Sequence, residues 1–289
     1  MEKFRLIPLL TAAVMGCTAL LAGCGKGSDS SSKAEEGAKT SDDGSINKDL
    51  TATELARLLG NGTNLGNTME AYGHKSYSAD TDPESFETLW GQPVTTEEMI
   101  KGMKASGFDS LRVPVAWTNA MEYEKGDYTI NEAYLDRVEE IINYALDNDM
   151  YVIINDHWDG SWWGMFGSSE QSDVDKAFEM YKSMWTQIAN RYKKYSDRLI
   201  FEGANEELGD RLNDTDVCKN SGSLSKAECY EMANKINQTF VDTVRATGGN
   251  NEQRFLLIAG YNTDITMTCS NKFLSLIHIS EPTRLLSIS

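Results

Sequence analysis

The sequence predicts an α/β fold on a parallel sheet, most naturally a (β/α)8 TIM barrel of which about the first five βα units are present. Three observations carry this. Five short apolar runs of strand character occur at residues 61–66, 109–115, 151–155, 199–204 and 254–259. The stretches between them repeat apolar residues at helical spacing. Polar side chains collect at the C-terminal ends of the runs, the edge where parallel α/β folds place their sites. A doubly wound sheet is the alternative, but no Gly-rich phosphate loop follows the first run to support it.

Residues 1–24 read as an address. Lys3 and Arg5 make a basic start, residues 6–21 are largely apolar, and Leu21-Ala22-Gly23-Cys24 has the form of a bacterial lipobox cut before Cys24. A permanent transmembrane helix is not expected at this length. Cys24 is the expected lipid attachment, and the expected location is extracellular, lipid-anchored to the cell envelope, with the membrane reached through the lipid alone. Residues 25–47 hold almost no apolar side chains and are expected to be a flexible linker. Residues 48–273 are long enough for one domain with a proper core.

The formal net charge of −17 argues against nucleic acid or an anionic surface as partner and favours neutral or cationic ligands. Of the five cysteines, Cys17 leaves with the leader and Cys24 takes the lipid. Cys218, Cys229 and Cys269 form no metal template, and whether Cys218 and Cys229 pair stays open. No spacing implies a metal or an organic cofactor.

Within the domain, the first run ends near Asn64 and Asn67. A helix is predicted to start at a capping box between Thr95 and Glu98. The second run, DSLRVPV, contains Arg112. Residues 131–148 follow as an amphipathic helix with Tyr134, Leu135, Val138, Ile141, Ile142, Ala145 and Leu146 on one face. The third run, YVIIN, leads to Asn155 and His157. A helix over residues 173–195 repeats Phe178, Tyr181, Met184, Trp185, Ile188 and Tyr192, and the fourth run then stops abruptly at Asn205-Glu206. A last helix over residues 226–247 ends at Gly248-Gly249 before the fifth run.

Each polar group has a plainer reading: Asn205 and Glu206 could cap the next helix, Arg112 could neutralise Glu202, and His157 could be a satisfied loop histidine. Their common position on one rim is what points to a site, with Glu206 as general acid/base.

The motifs GTNLGN (62–67), LRVPV (111–115), VIINDHW (152–158), FEGANE (201–206) and GYN (260–262), in this order, resemble glycoside hydrolase family 5, the cellulase family of retaining (β/α)8 glycosidases. The resemblance leans toward endoglucanases, lichenases and xyloglucanases. It implies that Glu206 is the acid/base, that Asn205 binds a sugar 2-hydroxyl, and that Arg112, His157 and Asn67 shape the site. The implied partner is a β-glucan polysaccharide, cleaved without a cofactor by a monomer. Trp158, Trp162 and Trp163 are expected to include at least one cleft residue, because aromatic rings grip the apolar faces of sugars. The chain departs from the family pattern at Thr63, where an aromatic is common, and at Glu207, where Pro often follows the acid/base.

Retaining hydrolysis needs two carboxyl groups about 5 to 5.5 Å apart. The family's nucleophile is a Glu at the seventh strand, and no counterpart is found in this chain. Residues 274–284, LSLIHISEPTR, instead resemble one reading frame of a transposase adapter used to build sequencing libraries. Residues 274–289 are therefore expected to be non-native, and His278 and Glu281 are not recruited to the site. The natural protein is expected to continue as a barrel, while the 289-residue chain alone is expected to be inactive and prone to aggregate. The alternative function is a sugar-binding lipoprotein without catalysis.

Overall fold

The computed structural model describes residues 42–157, 162–214, 222–273 and 285–288. Its centre is a parallel sheet whose strands follow chain order: β1 (Gly62–Asn64), β2 (Ser110–Val113), β3 (Tyr151–Asn155), β4 (Leu199–Glu202), β5 (Leu256–Ala259) and β6 (Leu285–Ile288). The register sets Asn64 against Arg112 and Asn155 against Glu202, so the polar ends of four strands arrive on one edge. Chain-order neighbours, all parallel, with helices between them are the pattern of a partial (β/α)8 barrel.

Alternation along the strands explains why the runs are apolar throughout. Val113, Val152, Ile154, Phe201, Leu256 and Ile258 join the main core beneath the helices. Ile200, Phe255 and Leu257 point the other way and pack with Tyr151 and Ile153 in a second cluster. A parallel sheet covered on both faces needs both sets. The second cluster is covered by the chain's own start: α1 (Ala52–Leu58) inserts Leu55 there, with Leu50, Ala52 and Leu59 around it. Thr51 holds α1 in place through a capping box with Glu54.

The segment before α1 is stitched to the same end of the sheet. The Asp42 carboxylate accepts from the Ser196 backbone N–H at 2.8 Å, and the Gly44 carbonyl accepts from Asn250 Nδ2 at 2.7 Å. Residues 42–47, read from sequence as linker, are thus part of the folded domain. The leader, Cys24 and the rest of the linker lie outside the described residues. Among the described residues, no helix is long and apolar enough to cross a membrane.

The outer layer contains α2 (Pro83–Glu87), α3 (Glu97–Ala105), α4 (Glu132–Leu146), α5 (Gln171–Tyr192), α6 (Lys226–Ala246) and the short α7 (Ile265–Thr268). The apolar stripes predicted for α4 and α5 are the faces those helices bury. A capping box between Ser225 and Glu228 starts α6. The capping box predicted at Thr95 is displaced: Thr96 is the N-cap of α3, while Thr95 is buried and gives its backbone N–H to Glu87 at 2.7 Å. The sequence reading stopped at five strands, and β6 falls in the stretch set aside as a tail. Leu285 to Ile288 nevertheless runs in register along Leu256 to Ala259.

Candidate active site

The site is built around a guanidinium. Arg112 projects from β2 and makes a two-pronged bond to Glu202 at the end of β4, with Nε donating to Oε2 at 2.7 Å and Nη2 to Oε1 at 2.6 Å. Glu202 is fully buried, while Arg112 keeps about a fifth of its side chain exposed. A fork-to-carboxylate match offsets part of the cost of taking both charges out of water. The same Nη2 also donates to Asn205 Oδ1 at 2.8 Å. Both readings of Arg112 thus hold: it neutralises Glu202, and it orients Asn205. With its oxygen engaged, the Asn205 amide is left with its NH2 as the group to present outward.

From β3, Asn155 extends the network. Its Oδ1 accepts from the Val115 backbone N–H at 3.2 Å, which turns Nδ2 toward His157 Nδ1 at 3.1 Å and Glu202 Oε1 at 3.5 Å. His157 is held in backbone register by its own N–H donating to the Val115 carbonyl at 2.9 Å. Burial, reinforced by the positive charge of Arg112, pulls the His157 imidazole down to about 4. At neutral pH it is therefore an uncharged ring able to accept as well as donate.

Glu206 follows Asn205 directly and stands about half exposed on the rim, with Arg211 Nη1 3.6 Å from its Oε2. An ion pair this open to solvent is weak, so it leaves Glu206 available. Glu207 points the other way: it is fully buried, and its Oε2 accepts from the Asn205 backbone N–H at 2.6 Å. The alternation between Glu206 outward and Glu207 inward separates a group that can meet a ligand from one that braces the turn.

A clasp fixes the segment just beyond. The Asp210 backbone N–H donates to Asn262 Oδ1 at 2.8 Å, and Asn262 Nδ2 returns a bond to Asp210 Oδ2 at 2.9 Å. Tyr261 Oη adds a bond to Asp210 Oδ1 at 3.0 Å. Asn262 and Thr263 take left-handed φ values of 54° and 50°, a strain that persists where surrounding contacts over-determine it. Gly209 must be glycine here, since an added Cβ would lie 1.9 Å from Asn262 Oδ1.

Asn67 is exposed at the β1 end of the rim with φ 62°, and its backbone N–H and that of Thr68 both bond to Glu70. Burial raises the Glu70 carboxyl, and the Asn67 and Thr68 N–H groups counteract it. Sequence reasoning missed Glu70 and Asp210. The signal available was Asn-Thr-x-Glu, with a carboxylate placed three residues past a turn. Of the three tryptophans, Trp158 lies outside the described residues. Trp162 and Trp163 are not cleft residues: both are fully buried, stacked on each other at 4.6 Å and packed with Phe166 and Tyr181 in the core. Cys218 also lies outside the described residues, while Cys229 is buried.

The family model "Cellulase (glycosyl hydrolase family 5)" matches residues 72–277, most of the chain.

The chain belongs to glycosyl hydrolase family 5.

Among its family 5 relatives, the xyloglucan-specific endo-β-1,4-glucanase BoGH5A of Bacteroides ovatus is 40% identical over 221 residues, covering 75% of this chain and 40% of that protein. Endoglucanase A of Paenibacillus barcinonensis is 37% identical over 230 residues, covering 78% and 52%. The structure of a broad-specificity endoglucanase from Clostridium longisporum superposes with a TM-score of 0.69 at 32% identity, over 82% of this chain and 63% of that one. The chain spans about half the length of the curated relatives it matches.

Proposed function

We propose that this chain carries the acid/base half of a retaining endo-β-1,4-glucanase site, with Glu206 as the proton-transfer group. The observation that carries the reading is Asn205-Glu206 at the end of β4, set above the Arg112–Glu202–Asn155–His157 network. In the first step, Glu206 gives its proton to the glycosidic oxygen as the C1–O bond breaks, while a second carboxylate attacks C1 to form a glycosyl-enzyme. In the second, Glu206 takes a proton from water as the water oxygen displaces that carboxylate. Asn205 offers its NH2 to the sugar 2-hydroxyl while Arg112 holds its oxygen, and His157, neutral above about pH 4, adds no acid that competes with Glu206.

In this reading the second carboxylate comes from outside the described residues. Glu202 is engaged with Arg112, Glu70 with the Asn67–Thr68 turn and Glu207 with the Asn205 backbone. Linear or branched β-glucans are the proposed substrates, in keeping with the endoglucanase and xyloglucanase relatives. The proposed setting is the outside of the cell envelope, through lipid on Cys24, with the protein acting as a monomer.

The test is the protein encoded by the intact locus, assayed with and without Glu206→Gln on carboxymethylcellulose, lichenan, xyloglucan and mannan. Loss of at least about a hundredfold in the variant, with a β-glucan cleaved by the parent, is expected. Two inactive proteins that still bind oligosaccharide would replace this reading with the sugar-binding one.

A further inference from the structure

The turn that carries Asn205 and Glu206 is held at both ends by other groups. At its start, Gly203 donates its N–H to the Leu257 carbonyl at 2.9 Å, and its own carbonyl accepts from Tyr181 Oη at 2.7 Å. A Cβ at Gly203 would lie 2.7 Å from the Phe240 ring, so the backbone there runs close against α6. Tyr181 is fully buried on α5. Burial, together with the charges of Asp156 and Glu207, holds its phenol well above the usual range, so the group keeps its proton and remains a donor to Gly203.

Glu207 holds the other end. Its side chain folds back two residues, and Oε2 accepts from the Asn205 backbone N–H at 2.6 Å. Arg112 Nη2 meanwhile donates to Asn205 Oδ1 at 2.8 Å. Asn205 is thus gripped by its main chain and by its side chain, and the two grips together aim its NH2. The charge of Glu207 also reaches Arg112, which joins the two grips electrostatically. A carboxylate taken fully out of water costs stability, and Glu207 is such a group at a position where the chain departs from the family pattern.

We propose that Glu207 is a positioning residue for the hydrolysis: by holding the Asn205 main chain, it sets the angle at which the Asn205 amide meets the sugar 2-hydroxyl. The proposal rests on the catalytic reading above. A bond to the 2-hydroxyl strengthens in the transition state, so a small error in that angle is felt in kcat rather than in KM.

The experiment compares the protein from the intact locus with Glu207→Met, which keeps the volume and removes the acceptor, and with Glu207→Gln, which keeps an acceptor and removes the charge. The substrates are 4-nitrophenyl β-cellobioside and its analogue lacking the 2-hydroxyl on the ring bonded to the leaving group. Nitrophenolate departs with little help from an acid, so the comparison isolates Asn205 from Glu206. The intrinsic reactivity of each substrate is common to the three proteins and cancels when their preferences are compared. Glu207→Met is expected to lower kcat on the hydroxylated substrate at least about tenfold, with KM moved less than about twofold. Its preference for the 2-hydroxyl should shrink at least about tenfold, while Glu207→Gln rescues both to within about threefold of the parent. Equal falls on the two substrates in Glu207→Met would make Glu207 a structural brace only and overturn the proposal, as would a Glu207→Gln protein as impaired as Glu207→Met.

Residue-resolved amide hydrogen exchange supplies a reading that needs no turnover. The Asn205 N–H should exchange at least about tenfold faster in Glu207→Met than in Glu207→Gln, and equal rates would overturn the proposal. If Glu207→Met does not fold, Glu207→Gln decides alone: loss of either the 2-hydroxyl preference or the Asn205 protection relative to the parent would overturn it. A parent that cleaves neither substrate overturns the catalytic reading and this proposal with it, whereas an active parent matched by both variants overturns this proposal alone.

Discussion

Burial sets the charge state of His157 before any substrate arrives, and the effect has a definite sign in pH. The folded protein holds the imidazole near 4, against 6.5 for an unhindered histidine. Between those values the unfolded chain binds the proton and the folded one does not, so stability is full above about 6.5 and drains away as pH falls toward 4. Replacing His157 by Gln removes this contribution. Urea denaturation across that interval should show a shallower loss in His157→Gln than in the parent, and parallel curves would mean that the ring is solvated. At this scale the sequence was legible for the placement of polar residues at the strand ends, as with Asn205, Glu206, Arg112 and His157. It was misleading for Trp162 and Trp163. Aromatic residues close together read equally well as a sugar platform or as core, and only their full burial against Phe166 and Tyr181 decides. The buried Glu207 was likewise invisible as a brace, because its role depends on a turn that points it inward.

Among the elements, α1 does the work that its length hides. It is a seven-residue helix that would be marginal alone, and it survives because Leu55 is fully buried against Ile200, Phe255 and Leu257. Truncating Leu55 to Ala should cost about 2 to 5 kcal/mol, read as a shift of the denaturation midpoint at unchanged slope. A smaller effect would show that the second cluster collapses around the gap. The clasp between the β4 and β5 loops can be probed in the same way. Asn262→Ala removes the amide that exchanges two bonds with Asp210 while keeping the left-handed backbone, and it should destabilise by about 1 to 3 kcal/mol. Asn262→Gly should lose less, since glycine relieves the φ strain; equal losses would place the whole effect in the hydrogen bonds. The long helices were readable because their apolar stripes match the helical period. The clasp and the four-residue α7 were not, because elements so short are set by partners far away in the chain.

At the scale of the molecule, the described sheet is open. β1 bonds to β2 and β6 to β5, so each presents one unpaired edge among the described residues. Exposed parallel edges are templates for further strands. The 289-residue chain on its own should therefore sediment as species that grow with concentration, and a single monomeric species up to high concentration would argue that the edges are covered. The barrel architecture itself was legible because five spaced runs leave few ways to connect parallel strands. The four-residue strand β6 was not predicted, since LLSI carries too little pattern and lies within the stretch expected to be adapter-derived.

The floor of the sheet carries a kinetic consequence. Asp42 bonds to Ser196 across 154 positions, Asn47 to Asp197 across 150, and Gly44 to Asn250 across 206. The first residues of the domain thus have no seat until most of it exists. At ~5–20 residues per second, a ribosome leaves Leu55 and its neighbours waiting roughly 10 to 40 s for the surfaces they cover. Through that interval the apolar side of α1 and the bare inner faces of β3 and β4 are on view together, a substrate for chaperones made by the order of synthesis rather than by any weakness of the finished fold.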